Sequence, residues 1–514
     1  MGLGRQTFKH TIIYSMGTVF GRLASFLMLP FYAHIFQAKG YGVIATIDTS
    51  LGLLTILLSG GFQTGILRIY HEQDEKNKHL TLGTGILLVW ILGISIIFFP
   101  FIFSASLSKL ILGSTEYYPL ICLALVSFVI DVAGQSASTI QIIRQQSLLF
   151  SIVNLSRLIL GLLLNIWLII FLKVGLVGVF ISSLTTAIIS SLIFHIVAFQ
   201  AHGLGFSRQV AIQLLRFQLP LLPGEVISFL GRQTERVLVR ILVGLEGMGI
   251  LEMAYKFPPL LNLFITIPFQ RAWRTKSLEI AGQTSAPQII GDMFTRYFFM
   301  MVFLGLLLAV SIQSILKLTT PSDFWPAIAI AKIEIMTTII NGSISYLSFG
   351  ILYQKKTMLL SLIIGILTPV KIFFSFIFIS VWGLKGAAYS ALIMECVLLI
   401  WIFIKAQALY KLPLEYWKIF IIIIFGFILF YLLGTDNYLH EVVVLYVIEH
   451  LIFPLVSVLN DTLFQDWNLG KTAKILKERE GDAILLFLNA FFALSFLALM
   501  PFILKSRSTN AIHK

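Results

Sequence analysis

The sequence predicts an all-α, polytopic membrane protein of about fourteen transmembrane helices, or fifteen if the run 483–504 also crosses. The helices are expected as two six-helix bundles related by a parallel repeat, followed by C-terminal helices. Three observations carry this. Apolar residues fill 58% of the 514 positions and only 12% are charged, about half the roughly 25% usual in globular chains. The apolar residues are bunched into runs of about twenty, enough to cross about 30 Å of hydrocarbon at about 1.5 Å per residue. Two pairs of glycine-led segments also recur at almost the same shift.

In chain order, the first bundle is expected at 11–37, 42–68, 81–107, 118–141, 148–171 and 175–199. The second is expected at 212–233, 248–270, 293–316, 327–351, 358–381 and 384–405, with further runs at 417–434, 441–459 and 483–504. Backbone polar groups in lipid must be paired within the segment, so runs of this length are helices rather than buried strands. The first run is too long for the apolar core of a signal peptide. Between 459 and 482 the chain turns polar and basic, with Leu463, Phe464, Trp467, Ile475 and Leu476 available for one apolar face. That pattern fits a helix lying in the membrane interface.

The repeat sets the organisation. GYGVIATIDTS begins at Gly40 and GMGILEMAYKF at Gly247, a shift of 207; GLVGVFISSL begins at Gly175 and GLKGAAYSAL at Gly383, a shift of 208. Six helices per repeat is an even number, so both halves enter the membrane in the same orientation. The expected division is 1–205, 206–410 and an accessory segment 411–514.

The net charge of +13 sits mostly in short loops between apolar runs. This is the positive-inside pattern rather than a nucleic-acid surface. Arg5, Lys9, Lys76, Lys78, Arg144, Arg208, Arg271, Arg274, Lys276, Lys355, Lys356, Lys405 and Lys411 mark one side, expected to be cytoplasmic together with the N-terminus. Single lysines such as Lys39, Lys173 and Lys385 mark the other. Cys122 and Cys396 each lie inside an apolar run and read as small hydrophobes. No histidine pair has metal-ligand spacing. The GKT at Gly470 lacks the earlier glycine of a phosphate loop, since Gln465 stands there and no strand precedes it.

A charge at bilayer depth costs at least about 2.5–3.5 kcal/mol, so each one needs a reason. Arg22, Asp48, Asp131, Lys332, Glu334, Lys371 and Glu395 all fall within expected spans. The densest group is FLGRQTERVLVR, just after the seventh span, where Arg232, Arg236 and Arg240 recur every fourth residue and Glu235 adjoins the central arginine. On a helix that spacing makes one basic stripe. These arginines lie on the side the other loops leave poor in positive charge, which points to a role beyond topology. Guanidinium groups facing a hydrated cavity suit phosphate or pyrophosphate, which they can bind in bidentate fashion. The bland alternative is a turn meeting lipid headgroups.

The chain resembles the polysaccharide transporter family, flippases for lipid-linked oligosaccharides within the multidrug/oligosaccharidyl-lipid/polysaccharide exporter superfamily. The likeness runs over about residues 5–410. It rests on Gly17, Arg22, Pro30, Gly40-Tyr41-Gly42, Gly61 and Arg68, then on Arg216-Phe217, Pro220 and Pro223. It continues through Gly249, Ala254, Tyr255 and Lys256, Gln270 to Trp273, and Gly383, Gly386, Ala387 and Ala388. Glu235-Arg236 replaces the Asp-Arg pair the family often has, and Lys371 stands where an amide is frequent.

The resemblance implies two bundles around a cationic cavity that opens alternately to each side of a bacterial cytoplasmic membrane. The cargo it implies is a polyprenyl-pyrophosphate-linked oligosaccharide for cell-surface polysaccharide. Membrane lipids, glycosyltransferases and a repeat-unit polymerase are the expected partners. Arg232, Arg236 and Arg240 are the expected phosphate ligands, with Arg22 and Lys371 behind them. Asp48 and Asp131 are the candidates for responding to a coupling proton or sodium ion; no bound cofactor is expected. A lipid II flippase or a cation-coupled drug exporter of the same superfamily is the alternative, although the excess of basic residues does not suit cationic drugs. A membrane glycosyltransferase or polymerase would need a sizeable outer loop with catalytic acids, and a non-transporting scaffold would not explain the buried charges.

Overall fold

The computed structural model describes residues 28–59, 61–74, 78–203 and 205–434. Arg22 and the runs at 441–459 and 483–504 lie outside the described residues. The chain divides into two compact units, Met1–Glu252 and Met253–Lys514.

The first unit contains α1 (Leu29–Ser59), α2 (Phe62–Glu72), α3 (Lys78–Ile102), α4 (Ser104–Leu112), α5 (Tyr118–Ala137), α6 (Thr139–Ile143), α7 (Ser147–Asn165), α8 (Leu176–His202), α9 (Arg208–Gln218) and α10 (Leu222–Leu242). The helix α11 (Leu245–Ala254) crosses into the second unit, which continues with α12 (Ile267–Ile280), α13 (Ala286–Thr319), α14 (Ala327–Leu347), α15 (Phe349–Tyr353), α16 (Thr357–Leu409) and α17 (Tyr416–Gly434). Nine helical stretches among the described residues are long and apolar enough to cross a membrane, or ten if the pair α9 and α10, bent by 45°, is one span. The chain is a multi-pass membrane protein.

Two of these stretches are broken by a sharp turn. Straight, the 53 residues of α16 would run about 80 Å, far beyond one bilayer core. The chain instead turns at Gly383 (φ 57, ψ −132). Gly386 then passes so close to the incoming strand of helix that a Cβ there would sit 2.0 Å from the Phe378 carbonyl oxygen. Likewise α1 turns at Gln37 (φ 55, ψ −174). The break at Gly383 falls in the short connection expected from the sequence, and that at Gln37 falls on the last residue of the expected first span.

The repeat is written in the backbone. Left-handed residues recur at Gln37 and Gly244, and at Gly175 and Gly383, the same shifts of 207 and 208 found in the sequence. A short 3-10 turn at Thr115–Tyr117 has its counterpart at Ser322–Phe324. The Ser138 amide bonds to Gly134 and the Gln146 amide to Gln141; the Ser348 amide bonds to Ile344 and the Lys356 amide to Ile351. Close backbone approach is repeated too. A Cβ on Gly83 would meet the Gly205 carbonyl oxygen at 2.3 Å, and one on Gly291 the Pro413 carbonyl oxygen at 2.7 Å. The close approach of backbone at both places explains why glycine stands at 83 and at 291.

Each unit has its own core. In the first, Leu58, Phe62, Ile66, Leu82, Phe128, Ile140, Phe194 and Leu214 pack together, and a second cluster joins Val43, Ile47, Leu120, Ile121 and Phe180. In the second, Phe299, Val302, Leu306 and Ile422 form one cluster and Ile344, Ile351, Ile363 and Ile402 another. Many large apolar side chains face outward, among them Phe99, Ile102, Leu110, Phe171, Phe373 and Trp417, as a lipid-facing surface requires.

Candidate functional site

The arginine stripe lies on one helix, as its spacing requires, and the helix outruns the expected span. The seventh span was expected to end at 233, but α10 runs from Leu222 to Leu242. Pro223 stands at its start, where a missing N–H does no harm, and Arg240 lies in its last turn, where a cation complements the exposed carbonyls. The helix continues past 233 because it has a packed partner. Phe229 lies against Gly52 of α1, and a Cβ added to Gly52 would meet that ring at 3.0 Å.

Just beyond α10 the approach is closer still, and reciprocal. A Cβ on Gly42 would fall 1.8 Å from the Leu245 carbonyl oxygen, and one on Gly249 2.0 Å from that of Ala38. Gly42 and Gly249 are equivalent in the repeat, as are Ala38 and Leu245. Only two bare backbones fit at this crossing.

The three arginines have different surroundings. Arg240 donates from Nε to the Ile111 carbonyl at 2.7 Å, at the end of α4, where Gly113 (φ 76) turns the chain. Arg236 donates from Nε to Glu252 Oε2 at 2.8 Å and from a terminal nitrogen to Gln233 Oε1 at 2.9 Å. Arg232 is exposed and makes no hydrogen bond or ion pair among the described residues. Glu235, adjacent in sequence, is buried on a different face of the helix.

Arg236 thus carries a carboxylate, Arg240 has a neutral carbonyl that helps hold it in place, and Arg232 is open to an anion. An ion pair fixes a guanidinium and reduces its net charge, whereas a carbonyl leaves the charge intact. The row therefore offers a graded cation surface with its strongest open donor at Arg232.

The other expected residues are dispersed. Asp48 is exposed on α1 and close enough to Tyr32 to act on it electrostatically. Asp131, on α5, pairs with Arg157 of α7 and also accepts from Gln135 Nε2 at 3.0 Å. Lys371 is half-buried in α16, in the second unit. Among the described residues no three His, Cys, Asp or Glu come together as metal ligands, and both cysteines are free.

Sequence reading missed Arg157 and Glu252. Arg157 was in view as a charge inside the expected run 148–171. Glu252, in the second copy of the glycine-led segment, is likewise a charge inside the expected run 248–270, but its pairing with Arg236 shows only when α11 folds back beside α10.

Helical bundles with internal duplication define the class of fold, a polytopic helical membrane protein, and solved structures share it. The lipid II flippase MurJ in an inward closed conformation superposes with a TM-score of 0.66 at 17% identity, covering 87% of this chain and 98% of that one. An inward-facing multidrug resistance transporter of the MATE family gives 0.56 at 17% identity, over 76% and 95%. A MOP superfamily transporter from Pyrococcus furiosus, described as having a binding pocket of reverse polarity, gives 0.51 at 17% identity, over 78% and 95%.

The family described as "Polysaccharide biosynthesis protein" matches residues 7–274, just over half of the sequence, and the chain belongs to that family. The Lsg locus putative protein 1 of Haemophilus influenzae is 28% identical over 88 residues, which is 17% of this chain. The match spans 22% of that protein's length. The fold is shared with these solved transporters and with the flippase.

Proposed function

We propose that this protein moves a polyprenyl-pyrophosphate-linked oligosaccharide from the inner to the outer leaflet of a bacterial cytoplasmic membrane by alternating access. The N-terminus lies on the cytoplasmic side, and the halves 1–205 and 206–410 are the moving bodies, with 411–514 as accessory helices. Glycosyltransferases that build the cargo and a polymerase that consumes it act alongside. The physical task is to carry a charged, hydroxyl-rich headgroup past hydrocarbon while its lipid tail stays in the bilayer. A basic, hydrated lining lowers that barrier by replacing water around the phosphates.

The observation that carries this reading is the graded row on α10 in a chain of this family. Arg232 is open to anions, and Arg236 and Arg240 on the same face are held in place by Glu252 and the Ile111 carbonyl. Arg22 and Lys371 are assigned to the same headgroup as secondary ligands. Asp48 and Asp131 are the candidates for a coupling proton or sodium ion, and a cation at Asp131 would have to displace Arg157.

The test is translocation of a fluorescent polyprenyl-pyrophosphate oligosaccharide in proteoliposomes. A charge-assisted hydrogen bond is worth about 1.5–3 kcal/mol, so Arg232→Ala is expected to slow translocation about tenfold or more, and Arg236→Ala less. Unchanged rates in both folded variants would remove the stripe as the headgroup site. Preference for lipid II over longer repeat units would move the cargo to peptidoglycan precursors, and no translocation of any polyprenyl carrier would end the flippase reading.

A further inference from the structure

A cavity of about 230 Å³ lies inside the second unit, lined by Phe269, Gln270, Trp273, Arg274, Ser277, Ile290, Ser345, Tyr346, Ser348, Phe349 and Leu352. Its counterpart in the first repeat is filled. There, Ile66 stands at the place of Trp273 and Leu67 at the place of Arg274, counting by the shift of 207. Ile66 is fully buried in the core with Phe62, Leu82, Ile140 and Leu214. The helix α9 covers the spot: Cβ contacts built on Gly65 reach Phe217 at 3.1 Å and Leu214 at 3.4 Å, and the Arg68 guanidinium lies 5.7 Å above the Phe217 ring.

In the second repeat the covering helix is displaced. The counterpart of α9 is the first part of α17, which lies along α13 instead, with Gly426 under Val302 and with Ile422 and Phe425 among Phe299, Val302 and Leu306. Ala272, which corresponds to the buried Gly65, is exposed. Two changes thus act together: the lid is moved aside, and the two aliphatic side chains beneath it become an indole and a guanidinium. Drift in an apolar core would not open a space and line it with polar groups at the same time.

The lining has a definite chemistry. Beneath it is an aromatic cluster, with Phe269 4.7 Å from Tyr297 and 5.8 Å from Tyr346, and Tyr297 stacked on Tyr346 at 5.6 Å. Ser277 and Ser348 already donate their hydroxyl protons, to the Arg274 and Ser345 carbonyls at 3.0 and 3.1 Å, so they offer lone pairs to the cavity. Gln270 can donate and accept, and Arg274 at the rim brings a fixed cation. Faces for ring C–H groups, acceptors for hydroxyls and a guanidinium for phosphate describe one ligand. The volume is below the roughly 300–1,000 Å³ of sites for drug-sized molecules, which limits it to a single sugar unit.

We infer that this cavity binds a phosphorylated pyranose, the sugar nearest the phosphate of the transported headgroup. The assignment rests on the flippase reading for its choice of cargo. The stripe on α10 recognises charge and would accept any polyprenyl pyrophosphate. The cavity adds discrimination between sugars, since a hydrogen-bonding site rejects a ligand that leaves its polar groups unpaired.

The test uses the full chain labelled with 5-fluorotryptophan in nanodiscs, reading the fluorine resonance of Trp273, one of eight tryptophans, identified by its loss in Trp273→Phe. N-acetylglucosamine 1-phosphate is the probe. It is expected to shift that resonance saturably, with Kd raised at least tenfold in Arg274→Gln and the shift abolished in Ser345→Leu, a substitution at an exposed rim position. Inorganic phosphate and N-acetylglucosamine are each expected to bind at least tenfold more weakly than the sugar phosphate. An equal response to inorganic phosphate, or a shift produced by phosphatidylglycerol alone, would overturn sugar recognition. No shift at saturating probe would do the same. Translocation measured on the same protein separates the two readings: movement without a Trp273 response sinks the cavity, and a response without movement sinks transport.

Discussion

The two repeats have matching backbones and differing side chains, and the contrast shows what duplication preserves. Where chain meets chain, the copies agree: Gly83 with Gly291, Gly42 with Gly249, and the left-handed turns at Gln37, Gly175, Gly244 and Gly383. Where side chains meet, they have diverged. Asp131 pairs with Arg157 in the first copy. At the matching places in the second copy, counted from the equivalent serines 138 and 348, stand Asn341 and Leu367. Backbone approach tolerates almost no change, because a β-carbon has nowhere to go, while a side-chain pair can be exchanged as a unit.

The largest effect is expected where this rule has an internal exception. Gly178 and Gly386 are equivalent, three residues after Gly175 and Gly383. A Cβ on Gly386 would meet backbone, 2.0 Å from the Phe378 oxygen, whereas one on Gly178 would come no nearer than the side chains of Leu168 at 3.2 Å and Ile169 at 3.4 Å, with backbone at 3.7 Å. The first copy has two more residues between Gln146 and Gly175 than the second has between Lys356 and Gly383. A π-turn at Ile166–Phe171 takes up part of that length and sets the hairpin wider. Gly386→Ala should therefore destabilise by about 3 kcal/mol or more through overpacking against main chain. Gly178→Ala should stay within about 1 kcal/mol of zero, since gained helix propensity offsets a tight contact. Melting temperatures of the two variants in detergent decide the matter; equal shifts would break the comparison.

A smaller effect is expected at the ion pair. Both partners are about one quarter exposed, at 28% and 25%, so the penalty for stranding one is below that of a fully buried pair. Arg157→Met should cost about 1–3 kcal/mol by leaving the carboxylate with Gln135 alone. The double change Asp131→Asn/Arg157→Leu copies the second repeat and should recover most of the loss. A double-mutant cycle in thermal stability reads the coupling directly, and additive costs would show that the pair is not one unit.

Much of the fold was legible because it depends on one-dimensional signals. Runs of apolar residues give spans, and glycines at the turns gave the repeat shift before any coordinate. The break at Gly383 fell between the expected spans 358–381 and 384–405 for that reason. The candidate site was legible only in part. The spacing of Arg232, Arg236 and Arg240 put them on one face, but α10 continues to Leu242 because of tertiary contacts with α1, which a hydropathy window cannot register. The partners that grade the row, Glu252 and the Ile111 carbonyl, come from elements 16 and 129 residues away. The cavity that α17 leaves uncovered was not legible at all. Gln270 and Trp273 were noted as a familiar span ending, but the space beside them exists because a covering helix lies elsewhere, and helix placement leaves no local trace in sequence.

The smallest effect is expected at a polar bridge that only the first copy has. Trp90 of α3 donates from Nε1 to His195 Nε2 at 3.0 Å. His195 Nδ1 lies 2.7 Å from the Ser191 carbonyl oxygen, which can only accept. The ring proton must therefore sit on Nδ1 and Nε2 must be bare, a neutral ring held in one tautomer. The equivalent residues in the second copy are Phe298 and Phe403, which can join the same helices without any donor. Trp90→Phe should cost about 1 kcal/mol, the worth of one neutral hydrogen bond. Nitrogen-15 chemical shifts of His195 should show the Nδ1–H tautomer in the native protein and a mixture in the variant. If the tautomer is unchanged without Trp90, the Ser191 carbonyl alone fixes the ring. The two copies would then differ here in packing only, and side-chain divergence between the repeats would be chemical at Asp131 and at the cavity but not along the α3–α8 seam.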